Sequence, residues 1–285
     1  MADMHGCTQS EQYLDLLLEY LACPVDNSVP LTAIRNRDGA VVALRSKDSE
    51  YPVINNVPCM IPDLGKHGDG SQTLWQDLQS AAWQEYQSGH DEVFSAEDDP
   101  MGHGVGQIIS QTASGLFLDV GCGPLPWPGY MASSNDRVSW IGVDPYFGDL
   151  ARRFPFAQTL GEYLPFRSQV FDGVLYAGVI DHVIDPLRSL ERARTIVKPE
   201  GKLFVWYNLR QVDLRYVVWR AMRGLGLAWR YNENHQWAFT HRSLRALLKS
   251  AGFVIEEVIS LCDNYCPDYP DCGERAEFLA VASCL

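Results

Sequence analysis

The chain has 285 residues, a formal net charge of −13 and 46% apolar residues. This length is enough for one full domain and a small second one, each with a buried core. The acidic balance disfavours a broad phosphate-binding surface, so nucleic acid is an unlikely partner. No apolar run is long enough to span a membrane, and no secretion signal is recognisable. Eight cysteines without regular spacing favour reduced thiols and a cytoplasmic location.

The N-terminal residues 1–64 predict a small α+β accessory domain. Its helix covers residues 11–22, and two short β-prone runs follow at Val41–Leu44 and Tyr51–Ile54. The apolar face of the helix consists of four leucines: Leu14, Leu17, Leu18 and Leu21.

Two strings in this domain, LLEYLACPVD and YPVINNVP, resemble the zinc-ribbon-like activator subunit of tRNA and protein methyltransferases. The resemblance implies a surface for a partner protein or for a second copy of the chain. The family pattern has a cysteine pair near each end of the ribbon, whereas here Cys23 stands alone and Asp26 occupies its partner's position. Because structural zinc sites need four Cys or His ligands, we expect no metal in this domain.

Residues 65–104 predict a linker followed by a helix over the ligand site. GKHGDGSQ, at 65–72, has linker composition, and the polar stretch 90–104 predicts a mobile loop or lid. Between them an aromatic stripe predicts a helix that either packs on the sheet or contacts the ligand. The stripe consists of Trp75, Leu78, Ala82 and Tyr86.

The strongest signal is a short apolar run, Leu116–Val120, followed at once by Gly121 and Gly123. It predicts a buried parallel strand and a tight turn that brings the backbone close to a ligand. The next apolar run ends in Asp144, about 20 residues on, where open α/β sheets hold the ribose hydroxyls. Pro126 stands where a dinucleotide fingerprint has its third glycine, so a nucleoside without pyrophosphate is favoured over NAD.

The strings DVGCGP and GVDP resemble motif I and the acidic loop of the class I S-adenosyl-L-methionine (SAM) methyltransferases. LGEYLPF, at 160–166, resembles the segment of that family that faces the cofactor adenine. The resemblance implies SAM as cofactor and an α/β, Rossmann-like, doubly wound seven-stranded sheet with an antiparallel last strand over residues 105–285. It implies cofactor contacts from Asp119, Gly121, Cys122, Gly123, Asp144, Pro145, Gly161, Glu162, Tyr163, Ala177 and Tyr86.

The exit of the predicted fourth strand carries Asp181 and His182, and either could take a proton from an acceptor. A lone histidine at such a turn can equally be structural. In methyltransferases that act on planar exocyclic amines this exit often reads (N/D)PP(Y/F), whereas here it reads IDHV. We therefore expect methylation of an O, C or S atom of a small molecule, lipid or sugar.

Residues 208–240 interrupt the alternation of strands and helices and are rich in Trp, Tyr and Arg. Because insertions at this place lie over the crevice, we expect this one to select the acceptor. Its arginines form either a solvated helix face or a site for an anionic substrate. The candidate acceptor contacts are Tyr207, Arg210, His235 and Trp237, and His235 is also a candidate base.

The C-terminal part predicts an amphipathic helix over residues 241–251 and two antiparallel strands, Phe253–Leu261 and Ala276–Cys284. Between the strands, Cys262, Cys266 and Cys272 lie near several aspartates and could bind a metal ion. The alternative interpretation is free thiols in a long loop, because the three cysteines form no C-x-x-C pair.

The whole chain thus predicts a SAM-dependent methyltransferase that acts on a small-molecule acceptor. Two alternatives remain open. One is a tRNA or rRNA methyltransferase, since zinc-bearing N-terminal domains precede some enzymes of that kind. The other is a non-catalytic SAM-binding partner or regulatory module.

Overall fold

The computed structural model describes residues 9–65, 99–148, 151–209, 218, 221–222, 236–265 and 276–285. Several residues singled out above lie outside this part of the chain. They are the stripe from Trp75 to Tyr86, the arginines from Arg210 to Arg230, His235, Cys266 and Cys272.

The N-terminal unit is a helix followed by a four-stranded antiparallel sheet. Its elements are α1 (Gln9–Tyr20), β1 (Thr32–Arg35), β2 (Val41–Arg45), β3 (Glu50–Ile54) and β4 (Val57–Pro58), with the strands paired in chain order. Asn55 and Asn56 both have positive φ, 52° and 63°, and so make the tight turn between β3 and β4 that an Asn pair favours. The two β-prone runs of the sequence are therefore strands.

The larger unit is a seven-stranded sheet with helices on both faces. Its strands are β5 (Gly115–Val120), β6 (Val138–Asp144), β7 (Phe156–Gln158), β8 (Phe171–Ala177), β9 (Val197–Leu209), β10 (Phe253–Ser260) and β11 (Ala276–Cys284). Its helices are α2 (Pro100–Thr112), α3 (Gly129–Ser133), α4 (Pro186–Ile196), α5 (His241–Ser250) and α6 (Leu261–Tyr265). The predicted Rossmann-like fold is confirmed.

The strand order is β7-β6-β5-β8-β9-β11-β10. Strands β5 to β9 pair in parallel, whereas β11 is antiparallel to both β9 and β10. The order reverses between β5 and β8, and in open α/β sheets the ligand crevice lies at this point, outside the carboxyl ends of the strands. The topology therefore fixes where the site must be.

The N-terminal unit covers the edge of the large sheet. Cys59, just after β4, bridges Gln158 of the edge strand β7, and the amide of Met60 donates to the Gln158 carbonyl at 2.7 Å. Leu21 forms a second bridge to Phe166. Because an exposed strand edge invites pairing with other chains, this contact satisfies β7 from within the molecule.

Asn27 connects the two units through its side chain. Its Nδ2 donates to the Phe166 carbonyl at 2.6 Å and to the Leu164 carbonyl at 3.3 Å. Both acceptors belong to buried residues of the segment after β7. The docking thus depends on a side-chain amide as well as on backbone pairing.

One cysteine differs from the expectation of reduced thiols. Cys262 at the start of α6 is disulfide-bonded, whereas Cys23, Cys59, Cys122 and Cys284 are free. The expectation is wrong for Cys262, because a disulfide requires two cysteines close in space, which irregular spacing along the sequence does not reveal. A sulfur in a disulfide is not a thiolate ligand for a metal ion.

Two features are absent from the described residues. No helix in them is long and apolar enough to cross a membrane. No group of three or more His, Cys, Asp or Glu side chains in them could hold a metal ion. In the N-terminal unit, the Cys23 sulfur is buried and lies 3.6 Å from the Tyr51 hydroxyl.

We expect Asn27→Ala to lower the free energy of unfolding by about 1–3 kcal/mol, because it leaves two carbonyls at the junction without their donor. Urea denaturation measures this. The control is Ser28→Ala, which removes an exposed hydroxyl bonded only locally to Asp26 and should change stability by about 0.5 kcal/mol or less. Equal effects of the two substitutions would contradict a special role for Asn27.

Candidate active site

The loop after β5 lies at the carboxyl edge of the sheet and contacts the exit of β8. Gly121 has φ +76°, and a Cβ there would lie 2.3 Å from Cγ2 of Val179. Its amide donates to the Val143 carbonyl at 2.8 Å. Both the backbone conformation and the space therefore require glycine at this position.

Asp144 ends β6 and holds the same loop from the other side. Its Oδ2 accepts from the Gly123 amide at 2.9 Å, and its Oδ1 accepts from the Tyr146 amide at 2.7 Å. Burial raises the pKa of the carboxyl, while these two hydrogen bonds and Arg152 oppose the rise. A carboxylate oxygen can accept more than one hydrogen bond, so Asp144 keeps capacity for ligand hydroxyls.

Arg152 connects the loop after β5 to the loop after β6, a role that the sequence does not predict. Its guanidinium donates to the Gly123 carbonyl at 2.9 Å and to the Phe147 carbonyl at 2.6 Å, and it lies 3.7 Å from the centre of the Phe156 ring. An arginine 29 residues from the glycine it binds belongs to no local pattern. Its role is therefore visible in the fold alone.

Asp119, near the end of β5, is fully buried. Its Oδ2 accepts a hydrogen bond of 2.6 Å from the Tyr130 hydroxyl, while its Oδ1 is buried and has no hydrogen-bond partner among the described residues. Burial raises the pKa of the carboxyl to about 7; the Tyr130 hydroxyl lowers it and the charge of Asp144 raises it further. A buried carboxyl with one open acceptor therefore lies two residues before the glycine turn.

Two residues predicted to face adenine have partners within the protein. Glu162, in a short 3₁₀ turn after β7, accepts at Oε1 from the amides of Ile184 and Asp185 at 2.8 and 3.1 Å. The Tyr163 ring lies 4.3 Å from the Arg188 guanidinium carbon. Glu162 thus connects the turn to the start of α4, and the adenine contacts stay a prediction.

Of the other predicted cofactor residues, Cys122 and Pro145 lie on the same loops and Ala177 lies on β8, whereas Tyr86 is outside the described residues. Burial raises the pKa of the Cys122 thiol well above its usual value, which makes the thiol unreactive. The Pro145 carbonyl accepts from Nε2 of Gln158 at 2.9 Å. Ala177 is the last residue of β8, and after it Gly178, with φ +64°, has no atom of the described residues within 4 Å of a Cβ built on it.

The structure brings three of the predicted acceptor-side residues together at the exit of β8. The Asp181 carbonyl accepts from the amides of Gln236 and Trp237 at 2.7 and 3.1 Å, and the Trp237 indole N–H donates to the Val183 carbonyl at 2.9 Å. Nε2 of His182 lies 3.7 Å from Oδ1 of Asp181. Both of these side chains are partly exposed, 36% for His182 and 16% for Asp181. They are therefore accessible to a small ligand.

Tyr207 lies apart from this group. Its hydroxyl is hydrogen-bonded to Nδ1 of His241 at 2.6 Å, and its ring packs against Phe278. Burial raises its pKa to about 12. The phenol is thus held at the start of α5, and its predicted contact with an acceptor stays a prediction.

The raised pKa of Asp119 predicts a pH-dependent stability. In the unfolded chain this group titrates near its ordinary value, 3.8. Between that pH and about 7 the folded chain binds more protons at Asp119 than the unfolded chain does. The contribution of Asp119 to stability therefore falls as the pH rises. We therefore expect the free energy of unfolding of Asp119→Asn, relative to that of the unsubstituted chain, to increase by on the order of 2 kcal/mol from pH 5 to pH 8.

Urea denaturation of both proteins at the two pH values measures this gain. The control is Asp136→Asn, at an exposed position. Its free energy of unfolding should differ from that of the unsubstituted chain by the same amount at both pH values. A difference between Asp119→Asn and the unsubstituted chain that stays constant with pH would contradict the prediction.

Comparison with known proteins finds a family model that matches more than half of the chain. Residues 101–258 match the family model described as "Methyltransferase domain". Two curated relatives are ubiquinone biosynthesis O-methyltransferases. That of Actinobacillus pleuropneumoniae is 30% identical over 34% of this chain and 48% of its own length. That of Azorhizobium caulinodans is 27% identical over 51% of this chain and 61% of its own length. The chain thus spans roughly half of these relatives.

Among solved structures, one similar fold is Burkholderia thailandensis 1,6-didemethyltoxoflavin-N1-methyltransferase, with its substrate and S-adenosylhomocysteine bound. The TM-score is 0.53 at 15% identity, and the match covers 84% of this chain and 96% of that one. At this identity the comparison shows the fold alone.

Proposed function

The chain belongs to the methyltransferase-domain family, whose cofactor is SAM, and we propose that it transfers the SAM methyl group to an oxygen atom of a small-molecule acceptor. The oxygen is supported by the two relatives, which are named O-methyltransferases. It is also supported by the IDHV exit of β8, which lacks the motif for planar amines. Lipid and sugar hydroxyls belong to the same acceptor class.

The proposed cofactor site is supported by Oδ1 of Asp119, which is buried and has no hydrogen-bond partner among the described residues. SAM has a ribose with two hydroxyls and an amino-acid end with an ammonium group, and it supplies a methyl group activated by a sulfonium. Asp144 would accept from the ribose hydroxyls, and Asp119 would accept from the ammonium. A buried carboxylate is stabilised by such a cationic donor.

The loop is poorly suited to a dinucleotide. In dinucleotide sites the pyrophosphate binds at the N-terminus of the helix that follows the glycine loop. Here α3 begins only at Gly129, six residues after Gly123, and is five residues long. The intervening residues include Pro124, Pro126 and Pro128, which prevent an earlier helix start.

We assign His182 as the base that takes the acceptor proton and Asp181 as its partner. A carboxylate 3.7 Å from the imidazole favours the protonated ring that proton transfer creates. The Asp181 backbone is held by Gln236 and Trp237, so the pair is fixed relative to the chain that returns from the 208–240 insertion. The Trp237 ring offers an apolar wall for an acceptor.

The function is tested with radiolabelled SAM against a panel of phenols, sugars, lipid alcohols, thiols, amines and RNA. We expect label on an oxygen of a small acceptor, located by mass spectrometry. Asp144→Ala should reduce transfer at low SAM by at least about tenfold, because the loop and the ribose both lose an acceptor. Label on RNA would contradict the proposal and support an RNA methyltransferase. SAM binding without transfer to any acceptor would contradict it and support a non-catalytic SAM-binding module.

The proposed base is tested separately. We expect His182→Ala to lower kcat by roughly 10²–10⁴, and Asp181→Asn to lower it less, because that substitution removes the neighbouring charge and keeps the imidazole. Binding of S-adenosylhomocysteine, measured by calorimetry, should be unchanged in both variants. An equal loss of cofactor binding and turnover would place these residues on the cofactor side. Full activity of His182→Ala would exclude it as the base.

A further inference from the structure

A buried tyrosine–carboxylate pair, Tyr130 and Asp119, lies beside the glycine loop. We propose that Tyr130 is a positioning residue for the cofactor: its hydroxyl orients Asp119 so that Oδ1 accepts from the cofactor ammonium. Tyr130 does not itself touch the ligand in this proposal. The inference rests on the proposed function, since it requires a cofactor with an amino-acid end.

The geometry of the pair supports this role. The Tyr130 side chain is 7% exposed and Asp119 is fully buried, and their hydrogen bond of 2.6 Å is short for two oxygens. One carboxylate oxygen is thus fixed, and the other, Oδ1, is buried and has no hydrogen-bond partner among the described residues. Because the two oxygens are joined rigidly, holding Oδ2 determines where Oδ1 points.

Tyr130 is itself held firmly. Its ring packs edge-on against Trp140 of β6, with 6.0 Å between centroids. A Cβ on Gly106 of α2 would lie 2.3 Å from the Tyr130 carbonyl oxygen, so α2 presses closely on α3. The Tyr130 ring therefore cannot turn away from Asp119 without displacing Trp140, and its backbone cannot shift toward α2.

The electrostatic surroundings favour a cationic ligand. The titratable groups that act on the pair are Asp144 of β6, Cys122 of the loop and Asp99 at the start of α2. Arg152 partly offsets this through its effect on Cys122 and Asp144. An ammonium group at Oδ1 would complete the hydrogen bonding of the carboxylate and compensate its charge.

Loss of the Tyr130 hydroxyl has a defined consequence. Oδ2 of Asp119 would then be buried without its donor, and the ionised carboxyl would be less stable. The pKa of Asp119, already raised to about 7 by burial, would rise further. At neutral pH the carboxyl would be mostly protonated and would no longer attract an ammonium.

The test compares two ligands in Tyr130→Phe, which keeps the ring and its packing. S-adenosylhomocysteine carries the amino-acid end, whereas 5′-methylthioadenosine lacks it. By calorimetry at pH 7 we expect the affinity for S-adenosylhomocysteine to fall about tenfold and that for methylthioadenosine to change less than about twofold. The pH at which S-adenosylhomocysteine affinity is half lost should move upward relative to the unsubstituted chain.

Tyr176→Phe is the matched control, since Tyr176 is also fully buried and its hydroxyl is hydrogen-bonded, to Ser189. It should leave the ratio of the two affinities unchanged. Equal weakening of both ligands in Tyr130→Phe, or no weakening of either, would overturn the proposal. If the unsubstituted chain bound methylthioadenosine as tightly as S-adenosylhomocysteine, the assignment of Asp119 to the ammonium group would be wrong, and the role of Tyr130 with it. Absence of binding of both ligands would refute the proposed function itself.

Discussion

The hydrogen bond from the Gly123 amide to Asp144 is the contact on which the site depends. It closes the turn after β5 onto the tip of β6, and so sets the shape of the crevice at the point where the strand order reverses. The same turn is limited on its other side by Val179 from the exit of β8. Arg152 then fastens the turn to the loop after β6. The ends of three strands, β5, β6 and β8, thus contact one another in one small region of backbone. These contacts position the groups proposed to bind the ligand.

Much of this could be predicted from the sequence, because the signals are local. An apolar run, two glycines and an acid at a fixed distance define β5, its turn and Asp144, since burial, positive φ and hydroxyl recognition each restrict the residue type. The antiparallel pair β10 and β11 was likewise predictable from its runs. Strands β1 and β4, of four and two residues, were not predicted, because segments so short carry little pattern.

The parts that could not be predicted depend on contacts between distant segments. Tyr130 and Arg152 reach the turn through the packing of α3 and through the loop before β7, and neither position has a periodic signature. Glu162 shows the reverse case. Resemblance gave it a role toward the cofactor, and the fold adds a second one, because its carboxylate also accepts from the backbone that begins α4. The Cys262 disulfide likewise depends on proximity in space.

The N-terminal sheet docks on the segment of the large unit that begins at β7. The N-terminal unit contacts the segment from Gln158 to Arg167. This segment contains the turn Gly161–Tyr163, at the side of the crevice where the adenine is expected. A ligand that favours the docked arrangement of this turn would strengthen the attachment of the N-terminal sheet. By thermodynamic reciprocity, the chain with its sheet attached would then bind that ligand more tightly than the chain with its sheet detached. The small unit would then act as a tethered effector, present at a high effective concentration because both halves belong to one chain.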